Sequence, residues 1–133
     1  MNYELLPLSG LRVLVVDNHC DSRDLLKIIF EVYGMTVMMA ASAGEALKIL
    51  QQDTIDLLVS EVRLPNEDGY SLMRQVKAKV ARRVPAIALT TCARECDRYR
   101  SLAVGFDYHL TKPIEIDDLM ATVTELAKKL LVA

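Results

Sequence analysis

The chain has 133 residues, of which 52% are apolar and 26% charged, with 16 basic and 18 acidic side chains. This length is typical of one domain with its own hydrophobic core, and a net charge of −2 disfavours a nucleic-acid-binding domain, which is usually strongly basic. No apolar run approaches the roughly 20 residues that span a bilayer, and the first residues lack the basic region and the long apolar region of a secretion signal. Three cysteines then do not predict a disulfide framework. We expect a cytoplasmic globular domain with no membrane or nucleic-acid partner.

Residues 1–10 are predicted to lead into a single domain at residues 11–133. The first strand, residues 11–16, is a β-branched run of the kind that is buried on both faces in a parallel sheet. The helix after it is expected to begin near Asp21, a candidate cap, and to end near Gly34. Its apolar residues recur at helical spacing and are predicted to face the core: Leu25, Ile28, Ile29 and Val32.

The next segments repeat this alternation of strand and helix. A second strand at residues 36–40 precedes a helix that opens with the capping-box pair Ser42 and Glu45. A third strand at residues 57–60 leads through the loop 63–69 into a third helix. The apolar residues of these two helices are predicted to pack on the sheet: Ala43, Ala46, Leu47, Leu50, Leu72, Met73, Val76 and Val80.

The last part of the chain predicts two further strands, at residues 86–90 and 107–110, each followed by a helix. The fourth helix is expected to end near Gly105, and the fifth carries acids in its first turn and lysines near its end, as the helix dipole favours. The predicted buried face of the fourth helix is Cys92, Cys96, Tyr99 and Ala103, and that of the fifth is Ile116, Leu119, Met120, Val123, Leu126 and Leu130.

Five strands alternating with five helices predict parallel βαβ units in a doubly wound α/β sheet. Ligands of such sheets bind beyond the carboxyl ends of the strands. The residues that follow the strands are therefore the informative ones: Asp17, Asn18, His19, Glu61, Thr90, Thr91 and Lys112.

These strand ends resemble the receiver domain of bacterial response regulators. The segments VLVVDN, DLLVSEVRLPNEDGY, AIALT and GFDYHLTKP follow one another in the family's order, and the resemblance covers about residues 11–130. It implies a flavodoxin-like fold whose five-stranded parallel sheet has the order 2-1-3-4-5. It also implies a two-component or phosphorelay signalling module, not an enzyme, with a histidine kinase or another signalling protein as its partner.

The resemblance further implies roles for individual residues. The phospho-accepting position corresponds to Glu61. The positions that surround the Mg²⁺ ion of the family correspond to Asp17, Asn18, Glu61 and the backbone carbonyl of Arg63. The positions that contact the phosphoryl group or act as the switch correspond to Thr90, Lys112 and His109, and the bond from Lys112 to Pro113 is expected to be cis.

Three of these positions depart from the family pattern. Glu61 stands in place of the phospho-accepting aspartate, Asn18 in place of a metal-binding carboxylate, and His109 in place of the aromatic switch. The longer side chain moves the carboxylate by about 1 Å, and a displacement of that size can cost on the order of 100-fold in rate. Mg²⁺ prefers anionic oxygens. We therefore expect weak Mg²⁺ binding at most, no other cofactor, and little or no phosphorylation.

Several functional alternatives remain open at this stage. In one alternative, Glu61 is a permanent negative group that holds Lys112 and Thr90 in an active-like arrangement. In the other, it forms a buried ion pair with Lys112 whose attraction only offsets the cost of removing both charges from water. The alternative functions are a conventional receiver with weak Mg²⁺-dependent phosphorylation and a flavodoxin-like small-ligand module. The acids Asp17, Asp21 and Asp24 speak against the small-ligand module, because they would repel a phosphate group.

Smaller features carry weaker hypotheses. His109 is expected to be half-exposed on an edge strand, with a proton-sensitive switch as the alternative. Zinc or redox chemistry would need the residues His19, Cys20, Cys92 and Cys96 to converge, whereas Cys92 and Cys96 are expected to be small core residues.

A surface between the fourth and fifth helices is the predicted contact site for partners. This surface presents arginines on the fourth helix and acids on the fifth, and opposite charges on neighbouring helices allow a self-complementary two-fold homodimer through residues such as Arg98 and Asp117. The charged residues concerned are Arg94, Arg98, Arg100, Asp117 and Asp118.

Overall fold

The computed structural model describes residues 8–91 and 95–132. Strands and helices alternate in this order: β1 (Arg12–Val16), α1 (Cys20–Val32), β2 (Thr36–Ala40), α2 (Ala43–Gln52), β3 (Leu57–Glu61), α3 (Gly69–Lys79), β4 (Ala86–Thr90), α4 (Glu95–Val104), β5 (Tyr108–Thr111) and α5 (Ile116–Val132). Within the described ranges, no helix is both long enough and apolar enough to cross a bilayer.

The five strands form one parallel sheet of order β2-β1-β3-β4-β5, as predicted. The register aligns Val16 with Ser60 and Thr90 with Thr111. The carboxyl ends of β1, β3, β4 and β5 therefore meet along one edge of the sheet. This edge is where the predicted site residues lie.

The core has two layers, one on each side of the sheet. In β1, Leu14 and Val16 pack with α2 and α3, whereas Val13 and Val15 pack with α1 and α5. All residues of β3 and β4 are buried, as expected for strands covered on both faces. Leu8, from the predicted lead-in segment, is also fully buried in the layer of α1 and α5.

The buried face of α1 differs from the predicted one. The helix begins at Cys20 with His19 as its cap residue, so Asp21 lies inside the first turn. Its buried residues are Leu26, Ile29 and Phe30. Only Ile29 belongs to the predicted set. The apolar residues of α1 also fit a helical spacing that is shifted by one residue, and this shift rotates the buried face by about 100° from the predicted one. The other three predicted core residues are exposed: Leu25, Ile28 and Val32.

The helices α2 and α3 match their sequence patterns. Ser42 accepts a hydrogen bond from the Glu45 amide at 3.2 Å, and the Glu45 carboxylate accepts one from the amide of Ala41 at 3.3 Å. Asp68 caps α3 by accepting from the Ser71 amide at 2.8 Å. Gly34 has the expected left-handed conformation, with φ of 83°.

The predicted buried face of α4 is wrong. Tyr99 and Ala103 are exposed, and among residues 98–104, whose burial is described, the buried one is the polar Ser101. Cys92 and the side chain of Cys96 lie outside the described residues, as does the side chain of Leu130 in α5. The central apolar residues of α5 are buried as predicted, whereas Ile116 at its start is 47% exposed.

Gly69 starts α3 where the helix passes directly beneath the end of β3. A Cβ atom at this position would lie 2.7 Å from the Glu61 carbonyl oxygen and 3.0 Å from the Val62 Cα. Both obstacles are backbone atoms, so only glycine allows α3 to begin so close to β3.

Gly69→Ala is therefore expected to lower the free energy of unfolding by about 1–3 kcal/mol, the usual range for overpacking. Gly44→Ala is the matched control, because Gly44 lies in the first turn of α2 and a Cβ there meets nothing within 4 Å. The free energy of unfolding of Gly44→Ala should rise by about 0.5–1 kcal/mol. Urea unfolding of both proteins measures the difference, and equal stabilities would contradict this account of Gly69.

Candidate functional site

Two buried carboxylates and one ammonium group meet at the carboxyl edge of the sheet. Asp17 follows β1, Glu61 ends β3 and Lys112 follows β5. The Lys112 Nζ lies 2.8 Å from Asp17 Oδ2 and 2.9 Å from Glu61 Oε1. Asp17 is 1% exposed and Glu61 6%. Lys112 thus bridges two acids that are predicted site residues.

The remaining oxygens of both carboxylates accept hydrogen bonds from the backbone. The His19 amide donates to Asp17 Oδ1, and the Arg63 amide donates to Glu61 Oε2, each at 2.9 Å. All four carboxylate oxygens therefore have a donor supplied by the chain itself. A buried acid with this complete a set of partners avoids most of the penalty for leaving water.

The electrostatic balance of the cluster favours a protonated Lys112. Burial by itself lowers the pKa of this ammonium group. The hydrogen bonds and charges of Asp17 and Glu61 raise the pKa more, and the net result lies above the usual value for lysine. The cluster therefore keeps two acids close to one fixed positive charge.

Backbone contacts hold the two acids in position. The Arg23 Nη1 donates to the Asp17 carbonyl at 2.7 Å, and the Asp17 amide donates to the Ala40 carbonyl at 3.1 Å. Beyond Glu61, the Val62 amide donates to the Leu89 carbonyl at 3.2 Å. Sequence reasoning missed Arg23, because no local pattern links an arginine on α1 to a carbonyl at the end of β1.

The other predicted site residues lie around this cluster in different ways. Thr90 is fully buried at the end of β4, where its carbonyl accepts from the Lys112 amide at 2.9 Å. Asn18 and Arg63 are exposed. Arg63 meets Glu61 through its amide, and the peptide bond from Lys112 to Pro113 is cis as predicted. Across the described ranges, no group of three or more His, Cys, Asp or Glu residues is placed to hold a metal ion.

His109 is buried, not half-exposed as predicted. Only 7% of the residue is exposed, and its Nδ1 lies 2.8 Å from the Ser101 Oγ of α4. The edge position of β5 is covered here because α4 packs against the strand. Ser101 is a second residue that sequence reasoning missed, since a serine inside a helix gives no signal of a buried partner.

The charged residues of the predicted α4 and α5 contact surface lie around two grooves. Arg98 lines a groove with Glu115 and Asp118, whereas Asp117 lines a different groove near Tyr33. The Arg100 guanidinium lies 4.3 Å from the ring centre of Tyr70 on α3. Only Arg98 and Asp118 of the predicted charges share a groove, and Arg94 lies outside the described residues.

Lys112→Met is expected to lower the free energy of unfolding by about 3–5 kcal/mol, because it leaves two buried carboxylates without their cation. Glu61→Gln should lower it less, by about 1–3 kcal/mol, because Lys112 keeps its contact with Asp17 and one amide hydrogen bond is lost. Lys48→Met is the control, since Lys48 is exposed on α2. Denaturant unfolding at neutral pH ranks the three variants, and a larger loss in Glu61→Gln than in Lys112→Met would contradict the bridging role.

Comparisons with known proteins agree with this geometry. Residues 13–124 match the family model of the response regulator receiver domain. A relative from Leptolyngbya boryana, named an uncharacterized 14.6 kDa protein in the sodA1 3' region, is 41% identical over 119 residues, which cover 89% of this chain and 91% of that protein. The sensor histidine kinase RcsC of Escherichia coli K12 is 32% identical over 117 residues, which cover 88% of this chain and 12% of RcsC.

The solved structures lead to the same family. The receiver domain of the Francisella response regulator 1452 aligns with a TM-score of 0.85 and 29% identity, over 90% of this chain and 98% of that one. The family match over most of the chain thus agrees with the order of the strands and with the residues at the strand ends. The chain belongs to the response regulator receiver domain family.

Proposed function

We propose that this chain is a pseudo-receiver, a receiver domain of a two-component signalling system that acts through protein–protein contact without normal phosphorylation. In this proposal Glu61 stands at the phospho-acceptor position. The main observation in its support is that all four carboxylate oxygens of Asp17 and Glu61 accept hydrogen bonds from Lys112, His19 or Arg63. The family match supports a receiver over a flavodoxin-like small-ligand module.

The contacts of Glu61 oppose phosphoryl transfer. A carboxylate that accepts a phosphoryl group must present one oxygen in line with the incoming phosphorus, because this chemistry depends on positioning and charge neutralisation. Here Oε1 is held by Lys112 at 2.9 Å and Oε2 by the Arg63 amide at 2.9 Å. The extra methylene of glutamate also displaces both oxygens by about 1 Å from an aspartate's reach.

The donor set does not fit the Mg²⁺ ion that the family resemblance implies. Mg²⁺ requires an octahedral shell of oxygens and favours carboxylates. Asp17 and Glu61 are the carboxylates of this cluster, and the Lys112 ammonium already lies between them. Asn18 is exposed and supplies only a neutral oxygen. A divalent cation would therefore have to displace Lys112 from its position between the two carboxylates.

Glu61 acts in this proposal as a permanent negative group. Its carboxylate keeps Lys112 in one position at the sheet edge, and Thr90 and His109 lie on the neighbouring strands β4 and β5. The surface that a partner meets then depends on the folded state alone, without a phosphorylation step. The proposed partner is a histidine kinase or another signalling protein, in line with the likeness to a segment of RcsC.

A two-fold homodimer, in which Arg98 of one copy meets Asp117 of the other, stays a prediction, and both residues are exposed.

Incubation with acetyl phosphate and Mg²⁺ is expected to leave the intact mass of the wild-type protein unchanged. The double variant Glu61→Asp with Asn18→Asp should gain the mass of one phosphoryl group, because it restores the shorter acceptor and the third carboxylate. Intact-protein mass spectrometry measures both results.

The matched control combines Asn18→Asp with Glu61→Asn, which has the same metal-binding change but no carboxylate at the acceptor position. It should remain unlabelled. Phosphate uptake on Glu61 of the wild-type protein, to the extent seen in the double variant, would identify a working conventional receiver and contradict the proposal.

Millimolar Mg²⁺ is expected to leave the amide resonances of His19 and Arg63 nearly unchanged, because these amides report on Asp17 and Glu61. Asn18→Asp should increase the response by adding a third carboxylate, since affinity for hard cations rises with ligand charge. A titration followed by NMR tests both proteins. Tight binding by the wild-type chain would show that Lys112 does not exclude the ion.

A further inference from the structure

A groove with a basic lining lies at the amino edge of the sheet, opposite the carboxyl edge that holds the buried cluster. It runs between the end of α3 and the turn that follows α4, and residues 80–84, which lead into β4, border it. Its volume is about 280 Å³. Three cations line it, Lys77, Arg82 and Arg83, and none of the described residues that line it is an acid. We call it the basic groove.

Lys77 lies in a cradle that a glycine leaves open. A Cβ atom on Gly105 would overlap the Lys77 Cε and would lie 2.8 Å from its Nζ, so the aliphatic part of the lysine crosses directly over this glycine. Among the side chains that the structure describes, Lys77 has neither a carboxylate partner nor a hydrogen-bond acceptor. Its ammonium group therefore lines the basic groove with its donors available to a ligand.

Backbone carbonyls, and not an acid, hold Arg82 in place. The Arg82 Nη1 donates to the Ile55 carbonyl at 2.7 Å, and its Nη2 donates to the Asp53 carbonyl at 3.1 Å. A guanidinium group has five N–H donors, so further donors remain for a ligand. Because a carbonyl has no net charge, these hydrogen bonds fix the position of the guanidinium without neutralising it.

The negative groups near the basic groove offset only part of its charge. Arg83 is paired with Asp107, whose other oxygen accepts from a backbone amide of β4 at 2.8 Å. Just before β3, Asp53 and Asp56 lie beside Arg12. The helices α3 and α4 end at the groove, and a helix end carries roughly half a negative charge. Three cations against Asp107 and two helix ends thus leave an excess of about one positive charge.

The floor of the basic groove is apolar. Met73, Val76 and Val84 line it and are buried core residues. A ligand can therefore place an apolar part on this floor while its charged group meets the cations, a combination that is common in small-molecule sites. Such sites have volumes of roughly 300–1,000 Å³, so a groove of about 280 Å³ is suited to a compact molecule.

We propose that the basic groove binds a small organic phosphate. The phosphate group lies among Lys77, Arg82 and Arg83, and the apolar part of the ligand lies on the floor. A phosphate ester offers three outer oxygens, one for each of these side chains, and guanidinium groups match its geometry. The inference does not depend on the proposed function, because the basic groove contains no residue of the carboxyl-edge cluster.

An NMR titration with phenyl phosphate, at low salt and without Mg²⁺, tests the proposal. This probe joins an apolar ring to a phosphate group, and inorganic phosphate is the matched ligand without the ring. Phenyl phosphate should shift the amide resonances of Ala81 and Gly105 saturably and leave those of His19 and Arg63 unchanged. Inorganic phosphate should bind more weakly, because it leaves the apolar floor uncovered.

Lys77→Met should weaken binding of phenyl phosphate about tenfold, because it keeps an aliphatic side chain over Gly105 but removes one charged donor. Lys79→Met is the matched control. It makes the same change of charge on the same helix, at an exposed residue that does not line the basic groove. Its affinity for phenyl phosphate should stay close to that of the wild-type protein.

Four outcomes would overturn the proposal. Phenyl phosphate would produce no saturable shift at millimolar concentrations, or it would shift His19 and Arg63 instead, which places the anion at the carboxyl edge. Equal losses in Lys77→Met and Lys79→Met would indicate a diffuse attraction to surface charge. A glutamate-rich peptide that binds where phenyl phosphate does not would identify a protein contact surface in place of a small-molecule site.

Discussion

The position of Lys112 between Asp17 and Glu61 is the contact on which the site depends. Two carboxylates buried this deeply would repel each other strongly in a medium of low dielectric. The ammonium group relieves that repulsion, and the amides of His19 and Arg63 satisfy the outer oxygens. The cluster is therefore complete without a ligand.

Parallel topology makes this contact possible. Lys112 and Asp17 are 95 positions apart in the chain, yet each directly follows a strand whose carboxyl end lies at the same edge of the sheet. β3 and β4 are buried on both faces, and at the end of β3 the Glu61 Oε1 lies 2.9 Å from the Lys112 Nζ. The start of α3 at Gly69 also lies close to the Glu61 carbonyl and so restrains the backbone at the end of β3. The relative positions of Asp17, Glu61 and Lys112 thus depend on the packing of the whole sheet.

The outer faces of α1 and α4 contrast with this saturated edge. The cluster has a donor for each carboxylate oxygen, whereas both helices expose apolar residues, among them Ile28 of α1 and Leu102 of α4. In the proposed function, exposed surfaces rather than the cluster would meet a partner protein.

The amino-acid sequence by itself determined the strands to within about one residue, their parallel arrangement and the convergence of Asp17, Glu61 and Lys112. These follow from local β-branched runs and from the rule that strand ends share one edge. Only the tertiary structure decided which side of α1 and α4 is buried, because two helical spacings fit the same apolar residues. It also decided the burial of His109, since this burial depends on which neighbouring helix covers the side chain, and that is not encoded in local sequence.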